Sequence, residues 1–428
     1  MSAAAISTAA TRDREAKEIL AANDRGNYSV PTKGLYPFQW NWDSAFAALG
    51  YAHIDPERAV RELEALATSQ WPDGMIAHII FHQADEGYFP GPDVWATNRA
   101  PPTSGITQPP VLAIAASRLA ERGILAGDRL AGICDAAARW HAWFADARGD
   151  PETGAIAVVH PWESGRDNMP DWDAALEDVD ASNVKPFVRR DLGHVDAAMR
   201  PTEAQYKRFI ALVELGVGVA WDQKRYRDVS PFLVADPGMT AILFRAEKAL
   251  AKLSTSIGRD DLAEAANSRA ERLAAGFSAL WNDAAGGPTT RNVRTGDRGK
   301  YLSSMAFLGF SPGLLSADKI ASLTKSFDAI SDRCRFMVPS YDPAAETFDE
   351  KRYWRGPVWL VVNWLIADGL REAGDTARAD AIRTASAELV ERGGFYEYYS
   401  ALDGAPLGGP AFSWSAAAWL DFVRGTDG

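Results

Sequence analysis

Apolar residues recur at helical spacing along most of the chain, and this pattern limits the fold more than any other sequence feature. Apolar positions three and four residues apart alternate with good helix formers, and several segments begin at Pro, Asp or Thr and end at Gly, as helices do. The segments begin at Pro56, Gln108, Leu130, Thr202, Pro237, Asp260, Arg355 and Thr376. Strand patterns are few and short, AIAVVH from Ala155 and RFMVPS from Arg335. The sequence therefore predicts an all-α protein.

Long irregular segments separate some of these helices, whereas other connections are short. The long segments are residues 71–107, 160–201, 282–301 and 337–354, and they hold much of the Trp, Gly, Pro, Tyr and Arg. Connections of that length inside a compact domain usually carry function. Helices joined by alternately short and long connections favour a toroid of helical hairpins. We therefore expect one domain over residues 1–428, with these four loops forming an active-site cap at one end.

The formal net charge of −12 excludes some classes of partner. An acidic surface repels phosphate backbones, and no cluster of Lys and Arg reverses this locally, so nucleic acid is not expected as a partner. The sequence has neither a long apolar run nor a basic flank followed by an apolar stretch, which predicts a cytoplasmic protein that makes no membrane contact. Two cysteines, Cys134 and Cys334, are too few for a disulfide framework. A homo-oligomer remains open.

Many of the 15 tryptophans stand beside Gly, Pro, Asp, Arg or Tyr and not inside aliphatic runs. Aromatic rings next to hydrogen-bonding groups suit a sugar, which has apolar C–H faces and a polar hydroxyl rim. The densest example is HPWESGRDNMPDWD (residues 160–173), with two tryptophans, four acids, an arginine and two prolines. A small carbohydrate is therefore the expected ligand.

Two acids from distant parts of the chain are candidates for acid–base chemistry. A carboxyl group held against indole rings loses water, which raises its pKa and keeps it protonated, as a general acid requires. Asp167 is one candidate, although composition alone does not decide between it and the neighbouring acids. Glu397 stands between Tyr396 and Tyr398, where an acid among tyrosines is unusual for a solvated loop. Glycoside hydrolysis needs two such opposed carboxyl groups.

Five blocks of sequence, in order, resemble glycoside hydrolase family 63, in particular its hydrolases of mannosylglycerate and glucosylglycerate. They are YPFQWNWDSAFAALGYAHIDPERA (36–59), HPWESGRDNMPDWD (160–173), RPTEAQYKRF (200–209), YWRGPVWLVVNWLI (353–366) and GFYEYYSALDGAPLGGPAFSWSAA (394–417). The resemblance implies an (α/α)6 barrel and an inverting α-glycosidase that needs no cofactor. It assigns the general acid to Asp167 and the general base to Glu397, and the expected substrate is a small α-glycoside of glycerate.

The same resemblance implies a set of substrate-binding residues. In the sugar pocket they are Trp40, Trp42, Asp43, Gly165, Trp354 and Arg355, and Tyr353 belongs to the same block. Around an acidic aglycone they are Tyr36, Tyr88, Gln108, Arg200 and Tyr206. An arginine fork matches a carboxylate in shape and charge. Asp43 has a second interpretation, as the N-cap of the helix that begins at SAFAALG.

Three other functions remain open at this stage. A neutral disaccharide such as trehalose or kojibiose, or glucosylglycerol, is the first alternative substrate, and Arg200 distinguishes it from an acidic one. The second alternative is a toroid that binds a sugar without hydrolysing it. Two opposed acids are evidence against it, since a protein that only binds has no need for them. A sugar epimerase is the third, which would need paired histidines, and His160 and His194 make a poor pair.

No metal site is expected. His78 and His82 have the i, i+4 spacing of a helical zinc pair, but no Glu lies between them at the required position and no third ligand is evident. The glycine-rich segment from Gly286 follows no strand and has no Walker lysine, so a phosphate loop is not expected there. We interpret that segment as a lid over the pocket.

Overall fold

The computed structural model describes residues 3–425, which are mostly helical. The α-helices are α1 (Ala3–Asn23), α2 (Asn41–Tyr51), α3 (Pro56–Thr68), α4 (Pro92–Trp95), α5 (Leu112–Glu121), α6 (Gly127–Ala147), α7 (Asp173–Glu177), α8 (Glu203–Gly218), α9 (Gln223–Val229), α10 (Pro237–Ser256), α11 (Asp260–Ala279), α12 (Ala317–Ser331), α13 (Leu360–Glu372), α14 (Thr376–Gly393) and α15 (Ser413–Ala418). The 3₁₀ helices are Pro161–Ser164, Pro170–Trp172, Asp191–Gly193, Ala197–Met199 and Ser304–Phe310, and a π-helical turn spans Trp419–Val423.

The main helices begin at side-chain caps that the sequence already displays. Asp55 accepts a hydrogen bond from the Arg58 N–H ahead of Pro56 in α3, and Asp236 caps α10 in the same way ahead of Pro237. Thr202 and Gln205 form a reciprocal capping box at the start of α8. Each of these helices therefore starts where its local chemistry satisfies free backbone N–H groups.

Six inner elements form a closed ring. They are α2, α5, α10, the 3₁₀ helix Ser304–Phe310, α13 and α15; each contacts the next in this order, and α15 contacts α2. Each also packs against one outer helix, respectively α3, α6, α11, α12, α14 and α1. All eleven residues of α2 are buried, because a helix in the inner ring has neighbours on every side. The predicted all-α, (α/α)6 fold is therefore confirmed.

Short strands join the loops at the end of the ring where the inner helices begin. They are β1 (Gln39–Trp40), β2 (Ile79–Ile80), β3 (Ala157–Val158), β4 (Val234–Ala235), β5 (Trp281–Asn282), β6 (Gly287–Pro288), β7 (Arg291–Asn292), β8 (Tyr396–Tyr399) and β9 (Pro406–Pro410). The pairs β1–β2, β5–β6 and β8–β9 and the three-stranded sheet β3–β4–β7 are all antiparallel.

Some details of the sequence prediction were wrong. RFMVPS forms no strand, and Pro339 makes an isolated bridge to Val358. The helix expected from Arg355 begins only at Leu360, because Val358 exchanges two backbone hydrogen bonds with Tyr399 of β8. The segment before α13 is therefore extended and lies against the hairpin β8–β9.

No helix among residues 3–425 has both the length and the hydropathy that crossing a bilayer requires. Cys134 is buried, Cys334 is partly buried, and both are free thiols.

Candidate active site

A cavity that is open to solvent lies at the end of the ring where the inner helices begin. Both candidate acids line it, together with ten of the twelve predicted binding residues. These ten are Tyr36, Trp40, Trp42, Asp43, Tyr88, Gln108, Gly165, Arg200, Tyr206 and Tyr353. Concave aromatic walls with a few convergent polar groups are typical of a site for a small molecule.

Glu397 lies in β8 and is buried at the cavity wall, 1 % exposed. The Tyr36 hydroxyl donates to its Oε1 at 2.9 Å, and the Tyr353 hydroxyl donates to the same atom at 3.2 Å. On the other side of the carboxylate, the Gly409 N–H of β9 donates to Oε2 at 3.1 Å. Three donors around one carboxylate fix its orientation.

Arg200 is the buried cation of the cavity, 2 % exposed. Its Nη1 donates to the Tyr36 hydroxyl at 2.7 Å and lies 3.6 Å from Glu397 Oε1, while the guanidinium carbon lies 4.8 Å from the centre of the Tyr353 ring. Nε and Nη2 have no hydrogen-bond partner, although Asp191 Oδ2 lies 3.8 Å from Nε. Buried N–H groups without partners are costly, so this fork is suited to an incoming acceptor.

Asp167 follows the 3₁₀ turn Pro161–Ser164 and the left-handed Gly165. Burial raises the pKa of Asp167 to about 7, the Arg200 guanidinium opposes this shift, and the Glu397 carboxylate adds to it. A carboxyl group that keeps its proton near neutrality can act as a general acid. The two candidate acids thus lie in one cavity in different environments.

Asp43 is a third carboxyl group in the cavity. Burial, together with the Glu397 and Asp167 carboxylates, raises the pKa of Asp43 well above its usual range. The helix expected to begin at Ser44 starts three residues earlier, at Asn41, so Asp43 lies in the first turn of α2 and is not its N-cap. Its side chain is therefore available to the cavity.

Aromatic rings form the walls. The Trp42 ring meets Trp414 edge-on at 5.7 Å between centroids, and Trp40 meets Tyr88 in the same way at 5.4 Å. Gly165 approaches Trp42 so closely that a Cβ there would lie 2.6 Å from Cζ2 of the indole. This close approach and a φ of +68° are the reasons for glycine at this position.

Trp354 and Arg355 were expected to contact the sugar, but neither lines the cavity. The Trp354 ring is stacked on Trp359 at 3.7 Å between centroids. Arg355 forms a two-pronged pair with Asp173, at 2.7 and 3.0 Å, and its Nη1 donates to the carbonyl of Asn168. Both residues lie behind the wall, where Arg355 fixes the segment that follows Asp167.

Several cavity residues were not predicted. They are Pro31, Leu35, His78, Gly87, Phe89, Trp162, Arg190, Asp191, His194, Pro201, Phe412 and Trp414. Trp162 and Trp414 stand inside two of the matched sequence blocks, so an aromatic ring near a candidate acid was the available signal for them. No residue of 282–301 lines the cavity; that segment forms β6 and β7, and the second of these pairs with β4. The lid interpretation of that loop therefore stays a prediction, without a contact to the cavity that supports it.

The histidines do not form a metal centre or an epimerase pair. No group of three His, Cys, Asp or Glu within residues 3–425 has a metal-binding arrangement. His78 Nδ1 is hydrogen-bonded to Ser104 and His82 Nε2 to Gln39. Burial lowers the pKa of His160 to about 3, and its ring bonds backbone atoms of Phe209 and Trp162, away from His194.

The fold and the cavity together define an all-α glycoside hydrolase. The sequence matches the mannosylglycerate hydrolase MGH1-like glycoside hydrolase domain over residues 36–415, and the chain belongs to this family.

Three similar proteins illustrate the relationship. Mannosylglycerate hydrolase MGH1 of Selaginella moellendorffii is 41 % identical over 94 % of this chain and 84 % of its own length. Glucosylglycerate hydrolase of Mycolicibacterium hassiacum is 36 % identical over 95 % of this chain and 96 % of its own. The crystal structure of the family 63 mannosylglycerate hydrolase of Thermus thermophilus, in complex with Tris and D-glycerate, superposes with a TM-score of 0.91 at 40 % identity, covering 96 % of this chain and 99 % of that one.

Proposed function

We propose that this protein hydrolyses a small α-glycoside of glycerate, either mannosylglycerate or glucosylglycerate, with inversion at the anomeric carbon. Asp167 is the general acid and Glu397 is the general base. The names of the relatives support both sugars, since one hydrolyses mannosylglycerate and another glucosylglycerate.

The observation that supports an acidic aglycone is the edge of the Arg200 guanidinium that has no hydrogen-bond partner. Nε and Nη2 are buried without hydrogen-bond partners at a cavity wall. A glycerate carboxylate offers two oxygens, which match a guanidinium edge, and each charge-assisted bond stabilises by about 1.5–3 kcal/mol. Tyr88, Gln108 and Tyr206 line the same cavity and can hold the aglycone hydroxyls.

The two acids have different roles in the proposed chemistry. Asp167, which holds its proton near neutrality, donates it to the oxygen that leaves with glycerate. Glu397, held by Tyr36, Tyr353 and the Gly409 N–H, takes a proton from the water that attacks the opposite face of the sugar. Asp43 and the Trp42 ring bind the sugar in this scheme, by hydrogen bonding and stacking.

The test is a substrate panel. Purified protein is assayed with α-mannosylglycerate, α-glucosylglycerate, trehalose and kojibiose, and kcat/KM is measured for each. We expect one of the two glycerate glycosides to exceed both neutral disaccharides by about 10- to 100-fold, the value of one charge-assisted pair. Equal or better turnover of trehalose or kojibiose would overturn the acidic aglycone.

A further inference from the structure

A second acid, Glu163, lies in the 3₁₀ turn just before Asp167 and does not line the cavity. We call residues 161–167 the Asp167 turn. Glu163 lies in the 3₁₀ helix Pro161–Ser164 and is fully buried. Arg148, also fully buried, donates from Nη2 to Glu163 Oε1 at 2.7 Å and from Nε to Oε2 at 3.0 Å. The Val159 N–H donates to Oε2 at 3.0 Å. A completely satisfied ion pair thus stands four residues before the proposed general acid.

The pair continues into a third buried side chain. Arg148 Nη2 also donates to Gln223 Oε1 at 2.6 Å, and Gln223 Nε2 donates to the backbone carbonyls of Gly105 and Trp221 at 3.0 and 3.1 Å. Gly105 precedes Gln108 by three residues, and Gln108 lines the cavity. One buried chain of hydrogen bonds therefore joins the Asp167 turn to the segment that leads to Gln108.

Burying two charges is costly, so the ion pair of Glu163 and Arg148 indicates a role other than stabilising the fold. Desolvating two charges offsets much of their attraction, so a buried ion pair contributes little net stability compared with apolar side chains of similar size. It does fix geometry, because any displacement of the turn leaves a charge unpaired in a dry interior. The contacts of Glu163 thus restrict where the backbone of the turn, and with it Asp167, can lie.

We propose that Glu163 is a positioning residue for the general acid. The network of Glu163, Arg148 and Gln223 holds the Asp167 turn at a fixed place relative to the part of the cavity where the leaving group is protonated. The proposal rests on the proposed role of Asp167 as the acid that protonates the leaving oxygen.

The test compares two substrates that differ in their need for an acid. Glycerate leaves only if its oxygen is protonated, whereas fluoride leaves from an α-glycosyl fluoride with little protonation. We expect Glu163→Gln to lower kcat for the preferred glycerate glycoside about 10- to 100-fold with KM unchanged, as misplacement of a catalytic group does. Turnover of the α-fluoride of the same sugar should stay close to that of the unmodified protein.

The chain offers a matched control. Glu62 is equally buried, and its Oε2 accepts from Arg58 Nη2 at 2.6 Å, but the pair joins α3 to the loop at Ser29 and lies outside the cavity lining. Glu62→Gln should destabilise the fold as Glu163→Gln does, and leave the ratio of glycoside to fluoride turnover unchanged. A merely structural role for Glu163 predicts the same ratio in both variants, and that result would overturn the proposal.

Two further variants keep the test decisive. If Glu163→Gln does not fold, the double variant Arg148→Met/Glu163→Leu removes both charges, and the same selective loss of glycoside turnover is expected from it. Asp167→Asn distinguishes a failure of the proposed function from a failure of the positioning role of Glu163. If Asp167→Asn keeps full turnover of the glycerate glycoside, the proposed function fails; if it loses that turnover while Glu163→Gln behaves like Glu62→Gln, only the positioning role fails.

Discussion

The Arg200 guanidinium lies 3.6 Å from the Glu397 carboxylate, measured from Nη1 to Oε1, and the Tyr36 hydroxyl is hydrogen-bonded to both. The group expected to anchor the aglycone thus also orients the proposed base. Because Tyr36 and Arg200 hold Glu397 from the same side, the position of the bound aglycone and the orientation of the base depend on one cluster.

Arg200→Lys should reduce kcat/KM for the preferred glycerate glycoside about 10- to 100-fold. A lysine keeps the positive charge but cannot present two parallel N–H groups to a carboxylate. Turnover of the matching neutral glycoside, the glycerol glycoside of the same sugar, should fall less, because it lacks the carboxylate. Equal losses on the two substrates would mean that Arg200 only orients Glu397 and does not bind the carboxylate.

The pH dependence of kcat/KM should show a decline above a pH of about 7. The general acid must be protonated, and burial raises the pKa of Asp167 to about 7, so the active form is lost as the pH rises through that value. The unmodified protein, assayed with the α-glycosyl fluoride, should lack this decline, because fluoride leaves with little protonation. A decline with the same midpoint on the fluoride would assign it to a group other than the general acid.

Asp167→Asn should also be more thermally stable than the unmodified protein at pH 8. The folded state keeps the Asp167 proton up to about pH 7, whereas the unfolded chain releases it near its ordinary pKa of 3.8. The free energy of unfolding therefore falls as the pH rises between these values, and an amide removes the burial of charge that causes this. We expect a gain of at most about 4 kcal/mol at pH 8 and almost none at pH 4, measured as the shift in Tm at each pH.

Gly165→Ala should reduce turnover at least about tenfold, because a Cβ 2.6 Å from Trp42 displaces the indole from the sugar pocket. Gly123→Ala is the matched control. Gly123 has nearly the same φ, +71° against +68°, but nothing within 4 Å of its added Cβ. Both variants should lose about 1–2 kcal/mol of stability from left-handed strain, and only the first should lose activity.

Local chemistry fixed the starts of several helices well enough to predict them from the sequence. The helices at Pro56, Pro237, Asp260 and Thr376 begin at the predicted residues. Helix α12 was not predicted, since only Leu323, Phe327 and Ile330 are buried in it and its apolar stripe is thin.

Ten of the twelve binding residues expected from the resemblance line the cavity, and the other two lie where the backbone changes direction. Tyr353 has a φ of +50° and turns its ring to the cavity, while Trp354 and Arg355, next in the chain, turn behind the wall. A left-handed, non-glycine residue is strained and is held there by its surroundings. Which of three adjacent side chains faces the cavity is thus decided by tertiary packing, on which the sequence pattern carries no information.

The central claim is inversion by Asp167 and Glu397, and the product anomer tests it most directly. Proton NMR from the first minute of hydrolysis of the preferred α-glycoside distinguishes the anomers before they equilibrate. Our account predicts that the β-anomer of the free sugar appears first, because water attacks the face opposite the leaving group. The α-anomer appearing first would contradict it.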